Sequence, residues 1–109
     1  MIYIIGGAEH SSKYKALSFE NFLAWAELLS EYELDIETTM SNYWCDKELI
    51  TIQIGSGGVQ CVVVYNSLGN IQKELMKLLL EDSTKKKIIH NAQFEYIVLR
   101  FHGIQISNI

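Results

Sequence analysis

Leu34-Asp35-Ile36-Glu37-Thr38-Thr39 is the stretch that decides the fold of this chain. Apolar Leu34 and Ile36 alternate with the acids Asp35 and Glu37, and this alternation predicts a strand. Residues two apart in a strand face the same side of a sheet, so both carboxylates project together. Like charges this close repel, and bound Mg²⁺ or Mn²⁺ commonly offsets the repulsion because these ions prefer oxygen ligands. The alternative for so short a motif is a hydrated strand edge without a site.

Length, composition and charge narrow the class of protein. The chain has 109 residues, of which 49% are hydrophobic and 20% charged, so we expect one globular domain over 1–109. Its net charge of −4 repels a nucleic-acid backbone unless cations or a local basic patch intervene. Two cysteines, Cys45 and Cys61, are too few for a disulfide framework or a zinc site. No run is long enough for a signal peptide or a membrane span, so we expect a cytoplasmic protein that does not bind membranes.

Hydrophobic periodicity and turn residues predict an alternating order of strands and helices. Ser18 is a candidate N-cap, Gly55–Gly58 reads as a hairpin turn rather than a phosphate loop, and Gly103 is a candidate C-cap. The run Lys85-Lys86-Lys87 is interpreted as a solvated turn, with phosphate binding as the alternative. The predicted strands are 1–5, 32–36, 48–54, 59–65, 87–90 and an extended segment from 104 to 106; the predicted helices are 19–30, 70–81 and 92–102.

This order predicts how the chain folds around the acidic strand. Strands 32–36, 48–54 and 59–65 form an antiparallel meander, and the crossover through helix 70–81 brings strand 87–90 parallel to strand 32–36. The acids should then lie centrally in the sheet, and the helix after Asn91 should begin beside them. Asn91 and Glu95 are four apart and share a helix face, so Glu95 can approach Asp35 and Glu37. The alternative role for Glu95 is to stabilise the helix dipole from the first turn.

Two motifs resemble those of the DEDD (DnaQ-like) 3′–5′ exonucleases. Asp35-Ile36-Glu37-Thr38-Thr39 is similar to the first motif of that superfamily, and His90-Asn91-Ala92-Gln93-Phe94-Glu95 to the second. The sequence Leu-Asp-Ile-Glu-Thr-Thr is most similar to the proofreading domain of family A DNA polymerases, including phage ones. Residues 49–54 resemble the strand that usually follows this motif. The resemblance spans about 32–109 and implies an α/β fold with an RNase H-like mixed sheet and flanking helices.

The resemblance also implies a chemistry and a set of site residues. Phosphodiesters at DNA 3′ ends would be hydrolysed with two Mg²⁺ or Mn²⁺ ions, held by the catalytic residues Asp35, Glu37 and Glu95. Asp35 would bridge both ions, Glu37 would hold the ion that activates water, and Glu95 would hold the other. The implied substrate-binding residues are Thr38, Thr39, Asn91 and Phe94. Either Tyr43 or Trp44 could stack on a terminal base, although loop aromatics that only cover the core are as common.

The sequence departs from the superfamily pattern at two points. Glu95 stands where the second motif usually has Asp, and the third motif, with a Tyr or His and a last Asp, should lie beyond Ile109. We therefore expect a C-terminally incomplete fold, either part of a larger protein such as a polymerase or a naturally shortened relative. The isolated chain should be a poor nuclease, and as a fragment it should self-associate through apolar surface near Phe101, Ile104, Ile106 and Ile109. Three functions stay open: an exonuclease on single-stranded DNA 3′ ends, an RNase D-like enzyme on RNA, and a non-catalytic remnant that binds nucleic acid or a protein.

Overall fold

A computed structural model describes residues 1–6, 15–39 and 48–109 of the chain. Six strands, three helices and one 3₁₀ turn are assigned in these ranges. In chain order they are β1 (Ile2–Ile5), β2 (Lys15–Ala16), α1 (Phe19–Glu27), β3 (Glu31–Thr38), β4 (Leu49–Ser56), β5 (Val59–Val64), the 3₁₀ turn Tyr65–Ser67, α2 (Asn70–Glu81), β6 (Lys86–Ile88) and α3 (Ala92–Phe101).

The strands form one mixed sheet in the order β2-β1-β5-β4-β3-β6. β3, β4 and β5 are antiparallel neighbours, and β6 is parallel to β3, so the predicted meander and crossover are confirmed. β1 pairs in parallel with β5 and with the two-residue strand β2, which the sequence did not predict. The acidic strand is less central than expected, because among the described residues the three-residue β6 is the one strand outside it.

The alternation of β3 divides its side chains between two faces of the sheet. Tyr32, Leu34 and Ile36 are buried in the hydrophobic core, while Asp35 and Glu37 are exposed on the opposite face. The Tyr32 hydroxyl donates to the backbone carbonyl of Leu79 in α2, at 3.3 Å. The apolar half of the strand thus fixes β3 against the core, and this leaves the acidic half facing outward.

Local signals place the turns and caps where the sequence predicts them. Gly57 and Gly58 both have positive φ, which the tight β4–β5 hairpin requires. The Ser18 hydroxyl accepts a hydrogen bond from the Asn21 N–H at the start of α1. α3 ends with His102 as its C-cap, and Gly103, with φ of 79°, follows directly in the left-handed conformation that commonly ends a helix. The N-cap is confirmed as predicted; the hairpin is confirmed with its turn narrowed to Gly57–Gly58, and the end of α3 is confirmed with its cap one residue earlier.

The interpretation of Lys85–Lys87 as a solvated turn is wrong for two of its three residues. Lys85 and Lys87 are only 8% and 1% exposed. The Lys85 ammonium donates to the carbonyls of Glu27 and Leu29 at the end of α1, at 2.7 and 2.6 Å. The Lys87 ammonium donates to the carbonyl of Asp82, just after α2. Each cation therefore satisfies carbonyls at a helix C-terminus, where the dipole favours positive charge.

The segment after α3 differs from the predicted strand. Ile104 and Ile106 are buried although no strand is assigned there, and the Asn108 carbonyl accepts a hydrogen bond from the Lys87 N–H at 2.8 Å. The apolar surface expected near the end of the chain is therefore confined to Phe101 and Ile109, which are about half exposed.

Some sequence predictions fall outside the described residues. Tyr43, Trp44 and Cys45 all lie there.

Cys61 is a buried free thiol whose pKa is raised to about 11 by burial. In the parts of the chain that the structure describes, no helix is long and apolar enough to cross a membrane.

Candidate active site

The candidate site lies where β6 ends and β3 continues. β6 pairs only with Glu31–Glu33, so the described ladder on that side of β3 stops before Asp35. The carboxyl of Glu95, from the first turn of α3, meets the side chain of Asp35 and the backbone of Ile36 at this point. The Ile36 N–H donates to Asp35 Oδ1 at 3.0 Å. The chain thus brings acids from its two separate motifs together, as the sequence predicts.

Glu95 is a buried acid with an incomplete set of partners. Its side chain is 3% exposed, and its Oε2 atom has no hydrogen-bond partner in the described part of the chain. Burial raises the pKa of Glu95 to about 8, and the hydrogen bond and negative charge of Asp35 contribute to the increase, against a smaller opposite effect of the Ile36 N–H. Without a cation, Glu95 is therefore largely protonated at neutral pH, and its proton can be donated to Asp35.

Glu37 belongs to a different set of contacts. Gln53 Nε2 donates to Glu37 Oε1 at 2.6 Å, and the Thr51 hydroxyl donates to the same oxygen at 3.4 Å. Both donors lie on β4, so Glu37 leans toward β4 while Asp35 meets Glu95 from α3. Among the described residues, no group of three or more His, Cys, Asp and Glu side chains could hold one metal ion. The structure therefore joins Asp35 to Glu95 but does not bring Glu37 into that pair.

The donor set fits a divalent cation. Asp35 and Glu95 offer carboxylate oxygens, which Mg²⁺ and Mn²⁺ prefer, and Glu95 Oε2 is a buried oxygen without a donor in the described chain. A buried polar atom without a partner is costly, and a cation is one group that removes the cost. Glu37 Oε2 is another carboxylate oxygen on the same face of β3.

The structure gives different surroundings to the four residues assigned to substrate binding. The Thr38 hydroxyl donates to the Thr39 carbonyl, and the Thr39 hydroxyl accepts from the Glu48 N–H at 2.9 Å. Asn91 is exposed before α3, and its backbone carbonyl accepts a hydrogen bond from the Glu95 N–H. Phe94 is partly buried against the core. Their assignment to the substrate stays a prediction.

Gln53 was not singled out by the sequence, although the signal was present. Its position in β4 alternates with buried Ile52 and Ile54, so it had to face the same side of the sheet as the acids. What the alternation did not give is the register, in which Gln53 lies opposite Asp35 and Thr51 opposite Glu37.

A shallow groove of about 320 Å³ extends from Glu37 across the exposed face of the sheet. Its floor combines apolar and amide side chains from β1, β4 and β5. They are Ile2, Ile4, Gln53, Gln60 and Val62. Glu37 therefore has open space beside it, in the direction of β4 and β5.

Comparison with solved structures shows a shared fold at low identity. RNase D from Trypanosoma brucei, solved as a GMP complex, aligns over 98% of this chain and 32% of its own, with 15% identity and a TM-score of 0.74. RNase D from Escherichia coli aligns over 81% of this chain and 23% of its own, with 18% identity and a TM-score of 0.65. The POL domain of Pol1 from M. smegmatis aligns over 95% of this chain and 17% of its own, with 16% identity and a TM-score of 0.68.

This chain thus spans about a third or less of each of these proteins. No curated protein matches it. A family whose members are described as 3′–5′ exonucleases matches residues 15–109, which include both acidic motifs and every element from β2 onward. The mixed sheet is that of the RNase H-like exonucleases, and the chain belongs to the 3′–5′ exonuclease family within the DEDD superfamily that its motifs predict.

Proposed function

We propose that this chain forms the metal-binding part of a 3′–5′ exonuclease active site that hydrolyses phosphodiesters at the 3′ ends of single-stranded DNA. One observation carries the proposal: the carboxyl of Glu95 is buried against Asp35, with Oε2 lacking a partner in the described chain. A fold that only needed a stable strand edge would gain nothing from two acids in contact. A cation between them gives both acids a function.

In this proposal Asp35, Glu37 and Glu95 hold two ions of Mg²⁺ or Mn²⁺. Bound there, the ions would increase the acidity of water and neutralise charge on the phosphodiester. The residues of the chain do the remaining work. Asp35 is central because its side chain contacts Glu95 of α3 and it lies two residues before Glu37 on the same face of β3. The buried core beneath β3 keeps the backbone that carries Asp35 and Glu37 in place.

Charge explains why cations must accompany the nucleic acid. The chain has a net charge of −4, and the site itself is acidic. The lysines that could have formed a basic patch, Lys85 and Lys87, are buried against helix carbonyls. We therefore expect nucleic-acid binding to depend on the divalent ion rather than on lysines of this run.

We choose DNA because the sequence of the first motif is most similar to that of the proofreading domains of family A polymerases. RNA is the second candidate, because the structures that share this fold include RNase D from Trypanosoma brucei in complex with RNA U12. In a polymerase the domain would act beside a larger partner region. Substrate choice is testable directly with the chain itself.

Metal binding is tested first, by thermal unfolding in EDTA and in increasing Mg²⁺ or Mn²⁺. An ion that binds only the folded chain adds about 1.4 kcal/mol of stability at ten times its Kd. Asp35→Asn should abolish this response, while Glu33→Gln, which changes an exposed acid on the same strand, should keep it. The proposal would be refuted if neither Mg²⁺ nor Mn²⁺ changes the unfolding temperature of wild type, or if Asp35→Asn responds to the ions as strongly as wild type.

The substrate is tested with 3′-labelled DNA and RNA strands of one sequence. We measure binding of the chain to each strand by fluorescence anisotropy. We expect this binding to need Mg²⁺ and to be tighter for DNA than for RNA. Release of the 3′ nucleotide in Mn²⁺ should be lost in Asp35→Asn. A preference for RNA would instead support the RNase D-like alternative. Nucleic-acid binding that is as tight in EDTA as in Mg²⁺, and as tight in Asp35→Asn as in wild type, would support the non-catalytic alternative.

A further inference from the structure

Among the described residues, the neighbours of the exposed Glu37 carboxylate hold it through a single oxygen. Gln53 Nε2 donates to Oε1 at 2.6 Å, and the Thr51 hydroxyl reaches the same atom at 3.4 Å. The shorter contact is the stronger, so Gln53 is the main partner. In the part of the chain that the structure describes, no donor is assigned to Glu37 Oε2.

The contact runs diagonally across the β3–β4 pair. Gln53 lies opposite Asp35 in the register, yet its amide reaches two residues along to Glu37. Diagonal neighbours in an antiparallel pair are within reach of long side chains. The contact draws Glu37 toward β4, whereas Asp35 is engaged with Glu95 from α3. Gln53 therefore keeps the Glu37 carboxylate away from that of Asp35, which strand geometry places on the same face.

We propose that Gln53 is a positioning residue for Glu37: its amide fixes Oε1 and leaves Oε2 for the divalent cation. This inference rests on the proposed function, since it presupposes that Glu37 is a metal ligand. Partners that orient metal ligands in this way commonly contribute 10–100-fold to metal affinity.

The chemistry of the amide suits this task. A lysine or arginine would also hold the carboxylate, but its positive charge would weaken the attraction of the site for a cation. The Gln53 amide donates hydrogen bonds without adding charge. It also restricts a flexible, exposed glutamate before the cation arrives, so less side-chain entropy is lost on binding.

The test replaces Gln53 by Met, which keeps the length of the side chain and removes the donor. The Mg²⁺ affinity is measured from the midpoint of the stability titration, and folding in EDTA is checked by circular dichroism. We expect Gln53→Met to weaken Mg²⁺ binding by about 10–100-fold. Gln53→Asn, one methylene shorter, should weaken it as well and serves if Gln53→Met does not fold. Gln60→Met is the matched control, because Gln60 lines the same groove and has no hydrogen bond to Glu37 among those assigned.

A double-mutant cycle shows whether Gln53 acts through Glu37. In the Glu37→Gln background, Gln53→Met should cause no further loss of affinity. The side-chain amide resonance of Gln53 should shift on Mg²⁺ addition in the wild type and stay unchanged in Glu37→Gln. Unchanged or tighter binding in both Gln53 variants, an equal loss in Gln60→Met, or an undiminished loss in the Glu37→Gln background overturns the inference. A wild-type chain that does not respond to Mg²⁺ at all overturns the proposed function instead.

Discussion

Replacing Glu95 by Gln should change how the stability of this chain depends on pH. Burial and the neighbouring Asp35 raise the pKa of Glu95 to about 8 in the folded chain, whereas its ordinary value is 4.5. Between these two values the unfolded chain releases a proton that the folded chain keeps. The unfolded state therefore binds fewer protons, and the free energy of unfolding falls as the pH rises. The contribution of Glu95 is greatest below pH 4.5 and lost as the pH passes through 8.

The magnitude follows from linkage. One proton corresponds to about 1.4 kcal/mol for each pH unit within this window, so wild type should lose about 3 kcal/mol between pH 5 and pH 7 through Glu95 alone. The amide introduced by Glu95→Gln cannot ionise, and it can still donate a hydrogen bond to Asp35. Glu95→Gln should therefore be close to wild type at pH 5 and more stable by about 3 kcal/mol at pH 7.

The assay is urea denaturation in EDTA at pH 5, 6, 7 and 8. Asp35→Asn is the informative companion, because removing the negative charge of Asp35 should lower the pKa of Glu95, so that the loss of stability with rising pH ends at a lower pH than in wild type. A stability difference between wild type and Glu95→Gln that is the same at every pH would refute the raised pKa. If the loss of stability ends at the same pH in Asp35→Asn as in wild type, burial alone sets the pKa of Glu95.

Three further variants test the scaffold by urea denaturation at constant pH. Lys85→Met leaves the carbonyls of Glu27 and Leu29 without their cation and should cost about 2 kcal/mol; an unchanged midpoint would mean that other groups satisfy these carbonyls. Gly103→Ala should cost about 1 kcal/mol through its positive φ alone, since a methyl group there meets no atom within 4 Å, and an equally stable variant would contradict this. Ser18→Ala should cost about 1 kcal/mol by uncapping α1, unless the N-cap bond contributes nothing.

Local patterns were sufficient to predict most of the fold. The alternation in β3 and β4 and the Gly57–Gly58 turn act over a few residues, so the meander follows from the sequence. Helix α2 has the predicted bounds because its apolar residues recur at helical spacing and a charged segment follows. β2 was missed because two exposed residues carry no periodic signal.

Long-range contacts account for what the sequence could not predict. Lys85 and Lys87 look like a solvated run, and only the packing of two helix ends against them shows that each binds backbone carbonyls. A lysine is rarely buried unless its ammonium is paired, and its partners here lie on other elements or in the preceding turn. Such partners are invisible to a pattern that counts neighbouring charges.

The same distinction applies to the acidic site. Strand periodicity places Asp35 and Glu37 on one face, but it does not say toward which neighbour each carboxylate leans. That direction depends on the amide of Gln53 on one side and on the carboxyl of Glu95 on the other. Because the two acids have separate partners, a cation held by Asp35 and Glu95 would not compete with the contact that holds Glu37. The separation explains how one short strand can carry two carboxylates without a large repulsion, and in the described chain it leaves Glu37 Oε2 and the buried Glu95 Oε2 without a hydrogen-bond donor.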